Sequence, residues 1–178
     1  MKKTTTFIAL LGISYFSYAQ QTRNITDPQA DFKQAKEYFQ REQYSLAYPL
    51  LKDLQLKQRT PDRSGQAINY QEIKYYTIVC ALKQNEQGAI EKAKEFIDIE
   101  DNAARVQMMN FHLAEYYFRK KDYITAATLY EAAGIDNLSN REIADMKFHL
   151  GYGYFVQGQL DKAKPQFDAI RQIKDDPN

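Results

Sequence analysis

A phrase of eight residues that occurs twice decides most of what this chain can fold into. Phe111-His112-Leu113-Ala114-Glu115-Tyr116-Tyr117-Phe118 returns 37 residues later as Phe148-His149-Leu150-Gly151-Tyr152-Gly153-Tyr154-Phe155. After a short polar break each copy is followed by an alanine-centred segment, Tyr123-x-x-Ala126-x-x-x-Tyr130 and Leu160-x-x-Ala163-x-x-x-Phe167. Both segments carry apolar residues at helical spacing. A unit of fixed length with two amphipathic helices cannot bury its own apolar face, so it must stack on units like itself. The expected fold is all-α: a right-handed α-solenoid of about four antiparallel helix pairs.

The same pattern extends toward the N-terminus. The alanines Ala47, Ala89, Ala126 and Ala163 lie 42, 37 and 37 residues apart. They place units at about 27–58, 66–98, 102–134 and 139–174. Helix boundaries follow from local chemistry. Asp27-Pro28 reads as a cap followed by a first-turn proline. Asp101 or Asn102 can cap a helix that begins at Ala103, Gly134 stops a helix, and Ser139 with Glu142 fits a capping box. The third helix is expected from about Gln66 to Lys83 and the fourth from about Glu86 to Asp98. Lys57 to Gly65 reads as a loop between units. Ala-x-Pro recurs at Ala47-Tyr48-Pro49 and Ala163-Lys164-Pro165, near an expected helix start where a missing N–H matters little.

Close packing of two helices at ~8–10 Å requires small residues at the crossing and large ones beside it. Ala35, Ala114 and Gly151 meet that need in first helices, and the four alanines above in second helices. Tyr38, Tyr117 and Tyr154, with Leu113 and Leu150, supply the bulk.

Composition narrows the function. Lys and Arg number 24 against 23 Asp and Glu, so no charge excess points to nucleic acid. Lys2 and Lys3, the apolar run Phe7–Ile13, and Ser17-Tyr18-Ala19 before Gln20 read as a cleavable signal peptide over 1–19. That apolar run is short of the ~20 residues that span a bilayer. A polar arm over 20–26 and a repeat domain over 27–178 follow. The expected location is the periplasm or cell envelope, with membrane association only indirect. The single cysteine, Cys80, has no partner for an internal disulfide, and no Cys follows the apolar run as a lipoprotein would need.

The units resemble the tetratricopeptide repeat. That family combines Leu-Gly/Ala-x-x-Tyr in a first helix with Gly-x-Tyr-x-x-Ala-x-x-x-Phe-x-x-Ala in a second, and a Pro before the next unit. Leu150-Gly151-x-x-Tyr154, Gly158-x-Leu160-x-x-Ala163-x-x-x-Phe167 and Pro177 follow it closely. Leu113-Ala114-x-x-Tyr117 and Tyr123-x-x-Ala126-x-x-x-Tyr130-x-x-Ala133 follow it nearly as well. The first unit keeps Ala35, Tyr38, Tyr44 and Ala47 with Leu51 for the aromatic; the second keeps Ala89 and has Cys80 at the tyrosine's expected place. More narrowly, the signal, the Thr-Asp-Pro start and the tyrosine-rich units are similar to the N-terminal part of large exported repeat proteins of Bacteroidetes-type bacteria. The resemblance implies either a fragment, with further repeats past Asn178, or a protein whose last helix meets another surface. It implies a non-catalytic scaffold that binds a peptide or protein segment in the concave groove. Rival readings are the extracytoplasmic sensor part of a signalling protein and, more weakly, a glycan-binding helical-repeat protein.

In that family the first helices line the groove. Phe32 and Phe39, Phe111 and Phe118, and Phe148 and Phe155 are each seven residues apart, hence on one helical face. Phe111, Glu115, Phe118, Arg119, Phe148, Tyr152 and Phe155 are therefore the candidate partner-binding residues. The rings equally suit packing against the neighbouring unit. His112 and His149 share a repeat position but lack the further ligands a zinc ion needs, and read as helix-surface residues. Cys80 falls at a packing position without a base beside it. No cofactor, metal or catalytic site is expected.

Overall fold

The computed structural model describes residues 27–58 and 69–174, and all regular structure among them is helical. The predicted signal peptide, the arm, the start of the predicted third helix at 66–68 and the tail from 175 lie outside the described residues. Eight helices follow one another: α1 (Pro28–Gln40), α2 (Tyr44–Gln58), α3 (Tyr70–Gln84), α4 (Ala89–Ile99), α5 (Ala103–Arg119), α6 (Tyr123–Ala133), α7 (Asn140–Val156) and α8 (Leu160–Lys174). Within each pair the two helices pack together. α2 on α3 and α6 on α7 join successive pairs, and α1–α3 and α3–α5 contacts align the first helices. Sequential pairing of this kind is consistent with a helical repeat.

Caps set most of the helix starts. Asp27 accepts from the Gln29 amide at 2.9 Å with Pro28 in the first turn, and Asn102 accepts from the Arg105 amide at 3.0 Å. Ser139 and Glu142 form the reciprocal capping box that the sequence predicts. Three boundaries differ from expectation. α3 starts at Tyr70 rather than about Gln66, behind an Asn69 cap that accepts from the Gln71 amide at 3.0 Å. Lys57 and Gln58 belong to α2 rather than to a loop, with Lys57 paired to Asp53 one turn back at 2.6 Å. α4 starts three residues later than its periodicity implies, because Asn85 and Gly88 both take left-handed conformations. The two prolines sit at the sixth residue of α2 and α8, deeper than expected. The carbonyls they leave unpaired belong to the exposed Ser45 and Asp161, where water can serve them.

One backbone device closes all four pairs. A residue with positive φ (Glu42, Asn85, Lys121 or Gly158) follows each first helix. The next amide then reaches back five residues, from Gln43 to the Tyr38 carbonyl, Glu86 to Ala81, Asp122 to Tyr117 and Gln159 to Tyr154, at 2.9–3.0 Å. These are Schellman closures. They fix the register of the second unit: Ala81, not Cys80, takes the place of the tyrosine. They also identify strain that can be removed. Lys121 is exposed at φ 64°, a region that penalises any side chain. Lys121→Gly is expected to raise stability by about 1 kcal/mol, read as an upward shift in the thermal midpoint.

The core consists of three clusters, each built by one pair and the helix after it. Ala35, Ala47, Leu51 and Leu54 meet Ile73 and Cys80 of α3. Val79, Leu82, Ala93 and Phe96 meet Met109 and Leu113 of α5. Phe111, Ala114, Ala126 and Tyr130 meet Met146, Leu150 and Tyr154 of α7, with Ala163 of α8. The predicted crossing residues are therefore buried. Gly151 shows how tight a crossing is: a Cβ there would lie 2.9 Å from Phe167 Cε1 and 3.1 Å from Gln166 Cβ.

Candidate functional site

A groove of about 660 Å³ runs across the first helices and is lined from all four pairs. α1 and the turn after it contribute Phe39 and Glu42, α3 contributes Tyr75, Tyr76 and Lys83, α5 contributes Phe111, His112 and Glu115, and α7 contributes Arg141 and Asp145. That volume is in the range of ~300–1,000 Å³ typical of ligand clefts. Several of its charges are already paired. Glu72 is held by Lys36 at 2.8 Å, and Arg105 by Glu100 at 2.8 Å. Lys83, Arg141, Glu42 and Asp145 have no ion-pair partner among the described residues. The lining thus offers aromatic faces with charges of both signs. Burial lowers the affinity of the Lys83 amine for its proton, an effect partly offset by Glu115.

Beneath the groove the polar groups form two arrangements. His112 is buried, and its Nε2 lies 3.1 Å from the Tyr75 hydroxyl while Nδ1 has no partner. Burial, with the Lys83 charge adding to it, pushes the imidazole down to about 3, so the ring is neutral. Both His112 and Tyr75 therefore stay uncharged at the floor, and burial raises the Tyr75 hydroxyl. The second arrangement joins three helices. Glu115 of α5 accepts from the Tyr130 hydroxyl of α6 and sits 2.8 Å from His149 Nδ1 of α7. Phe118 stacks on the His149 ring, 3.8 Å between centroids. Burial on its own would raise the Glu115 carboxyl, but the bonds from His149 and Tyr130 outweigh it and leave the group depressed.

The predicted stripe of phenylalanines does not form one surface. Phe111 is only 4% exposed and faces Met146 and Tyr130 in the core as well as the groove floor. Glu115 also lines the groove, but its carboxylate is engaged as above. Phe118 is half-buried under His149, and the exposed Arg119 donates to the Leu82 carbonyl at 3.1 Å. Phe148 and Phe155 are exposed on the outer face of α7, and Tyr152 lies between Phe118, Tyr123 and Phe148. None of these last five lines the groove. His112 is a buried group rather than the expected surface residue, because Tyr75 and the second pair close over it. Cys80 is buried and its thiol is pushed up to about 12 by that burial. Among the described residues no group of three His, Cys, Asp or Glu could hold a metal ion.

Sequence reasoning did not select Lys83, Tyr75, Tyr76, Arg141 or Asp145. They come from two helices, α3 and α7, and share no motif. Their one common signal is position: all fall on first helices, the elements expected to line a groove.

No protein-family model matches the chain, and no curated protein matches it either.

Proposed function

We propose that this chain is a tetratricopeptide-type binding scaffold of the bacterial cell envelope that holds a short peptide segment in the groove across its first helices and does no chemistry on it. The observation that carries the reading is the groove itself. One continuous concavity receives side chains from all four pairs, so a bound segment would cross the whole stack. Its aromatic rings suit apolar side chains, and Lys83, Arg141, Glu42 and Asp145 suit a segment with charges of both signs. The envelope location rests on the signal-like residues 1–19, and no described helix is long and apolar enough to cross a membrane.

A displayed library of random peptides, panned on the purified chain, tests this reading. Enriched peptides should bind saturably by calorimetry. Asp145→Lys and Lys83→Met should each weaken them by about tenfold while leaving the thermal melt in place. A library without enrichment, or binding indifferent to both substitutions, would sink the groove as the working surface.

A further inference from the structure

The turns that close the four pairs share one backbone shape but not one charge. Up to and including the positive-φ residue, the first reads Gln40-Arg41-Glu42, the second Lys83-Gln84-Asn85, the third Arg119-Lys120-Lys121 and the fourth Val156-Gln157-Gly158. Only the third is basic throughout. The shape itself asks for no charge, since Asn85 and Gly158 close their pairs with the same backbone bond.

Stacking brings the second and third turns together. The Arg119 guanidinium donates to the Leu82 carbonyl at the end of α3, 3.1 Å away, which sets it beside Lys83. Arg119 Cζ and Lys120 Nζ stand over the Tyr116 ring, 5.9 and 5.5 Å from its centre. Lys121 follows at the tip of the turn. Arg119, Lys120 and Lys121 are exposed and Lys83 is half-buried. None of these cations has an ion-pair partner among the described residues.

The nearby carboxylates are mostly engaged elsewhere. Glu42, Glu115 and Glu142 act on Lys83. Glu115, however, is held by Tyr130 and His149, and Glu142 accepts from the Ser139 amide and hydroxyl at 2.9 and 2.7 Å. Asp122 accepts from the Thr125 amide at 3.1 Å. Cations near the C-terminal ends of α3 and α5 suit the helix dipoles, but one at each end serves that purpose. The third turn holds three. The Tyr116 ring also keeps Arg119 and Lys120 in place, so less side-chain freedom is lost when they meet an anion.

The surroundings of this basic corner decide what fits it. Glu86 and Asp122 follow directly after the two turns, and both are exposed. A broad anionic surface would press on these acids as well. A single extended chain can pass between them. We propose that the corner formed by Lys83, Arg119, Lys120 and Lys121 docks a run of acidic residues in an extended segment of a partner protein. The corner meets the groove at Lys83 but does not depend on what the groove holds.

A labelled hexaglutamate peptide and the whole chain test this. At low salt, fluorescence anisotropy should show saturable binding that weakens several-fold at about 150 mM salt, because exposed charges are screened. Lys120→Glu/Lys121→Glu should weaken it by about tenfold or more, with the thermal melt checked alongside. Lys120→Gln/Lys121→Gly removes both charges while relieving the left-handed backbone at 121, and should act in the same direction. Lys33→Glu/Lys52→Glu changes the net charge as much as the first variant does, at exposed lysines of α1 and α2, and should leave binding within about twofold. Absence of saturation at ~1 mM peptide overturns the proposal. Equal weakening by the two double glutamate variants also overturns it, since net charge alone would then account for the binding. Phosphatidylglycerol vesicles or polygalacturonate that bind more tightly than hexaglutamate, and lose that binding with Lys120→Glu/Lys121→Glu, would assign the corner to a membrane or a glycan and overturn it too.

Discussion

Between about pH 7 and pH 5 the folded chain is expected to lose roughly 2 kcal/mol of stability, and a His112→Gln variant is expected to lose far less over the same interval. The reason is the position of one imidazole. His112 is 6% exposed and packs under the second pair, with the Tyr75 hydroxyl of α3 on its Nε2. Burial opposes its protonation, the charges of Lys83 and Arg119 add to that opposition, and Glu115 alone favours the imidazolium. The folded group titrates at about 3, whereas a histidine in an unfolded chain titrates near ~6.5. As the pH falls below ~6.5 the unfolded state takes up a proton that the folded state does not, so the balance moves toward unfolding by ~1.4 kcal/mol per pH unit. The stability is thus fully present above the unfolded value and is lost on the way down to the folded one. Glu115 works in a lower window. Its carboxyl is depressed in the folded state, so its contribution is intact until the pH drops below the ordinary carboxylate range of ~4.3. Urea titrations at pH 7, 6 and 5 would check the effect, and parallel pH slopes for the two proteins would refute it.

That histidine also shows where the sequence stops being informative. Phe-His-Leu occurs in α5 and α7 with nearly the same neighbours, yet His112 is sealed against Tyr75 while His149 is half-buried between Glu115, Tyr130 and Phe118. The difference comes from the preceding unit, which is aromatic and tightly packed for one copy and carries a carboxylate for the other. The phenylalanines divide on the same ground. Phe111 and Phe148 have identical spacing and nearly identical ring geometry within their units, but among the described residues only Phe111 has a further helix in front of it. Periodicity reports which face of a helix is apolar; it does not report whether a neighbour covers that face. Helix existence, by contrast, was legible almost throughout, because several starts carry their own signal, as Asp27, Asn102 and the Ser139–Glu142 box show. The start of α3 at Tyr70 is one exception, and α4 is another. Its buried Ala89, Ala93 and Phe96 keep helical spacing, so nothing in the apolar pattern reveals that the turn before Ala89 is unwound by Asn85 and Gly88. The groove was legible only as a location. First helices were expected to line it, but Lys83 and Asp145 are brought to one concavity by stacking, and no short stretch contains both.

Replacing Tyr130 by Ala should be the most damaging single change in the second half of the chain, at about 3–5 kcal/mol. The side chain is fully buried and is the bulkiest of the fully buried ones. Its ring packs on Phe111, and its hydroxyl meets the Glu115 carboxylate and stands 2.9 Å from His149 Nδ1. Truncation would open a cavity between α5, α6 and α7 and would also take a donor from the half-buried Glu115 carboxylate. Tyr130→Phe separates the two losses. It keeps the ring, leaves the Glu115–His149 contact at 2.8 Å, and should cost only about 1 kcal/mol. The distribution of the damage is as informative as its size. The core is three clusters in series, and Tyr130 belongs to the last of them. In a stack whose units contact only their neighbours, stability is close to a sum of local terms. Hydrogen exchange of Tyr130→Ala should therefore show amides of α6, α7 and α8 losing protection while those of α1 to α4 keep it. α5 should fall between, since Met109 and Leu113 still bind it to the second cluster. Equal loss of protection in all eight helices would mean that the stack unfolds as one unit, and that the clusters are coupled more strongly than their shared helices imply.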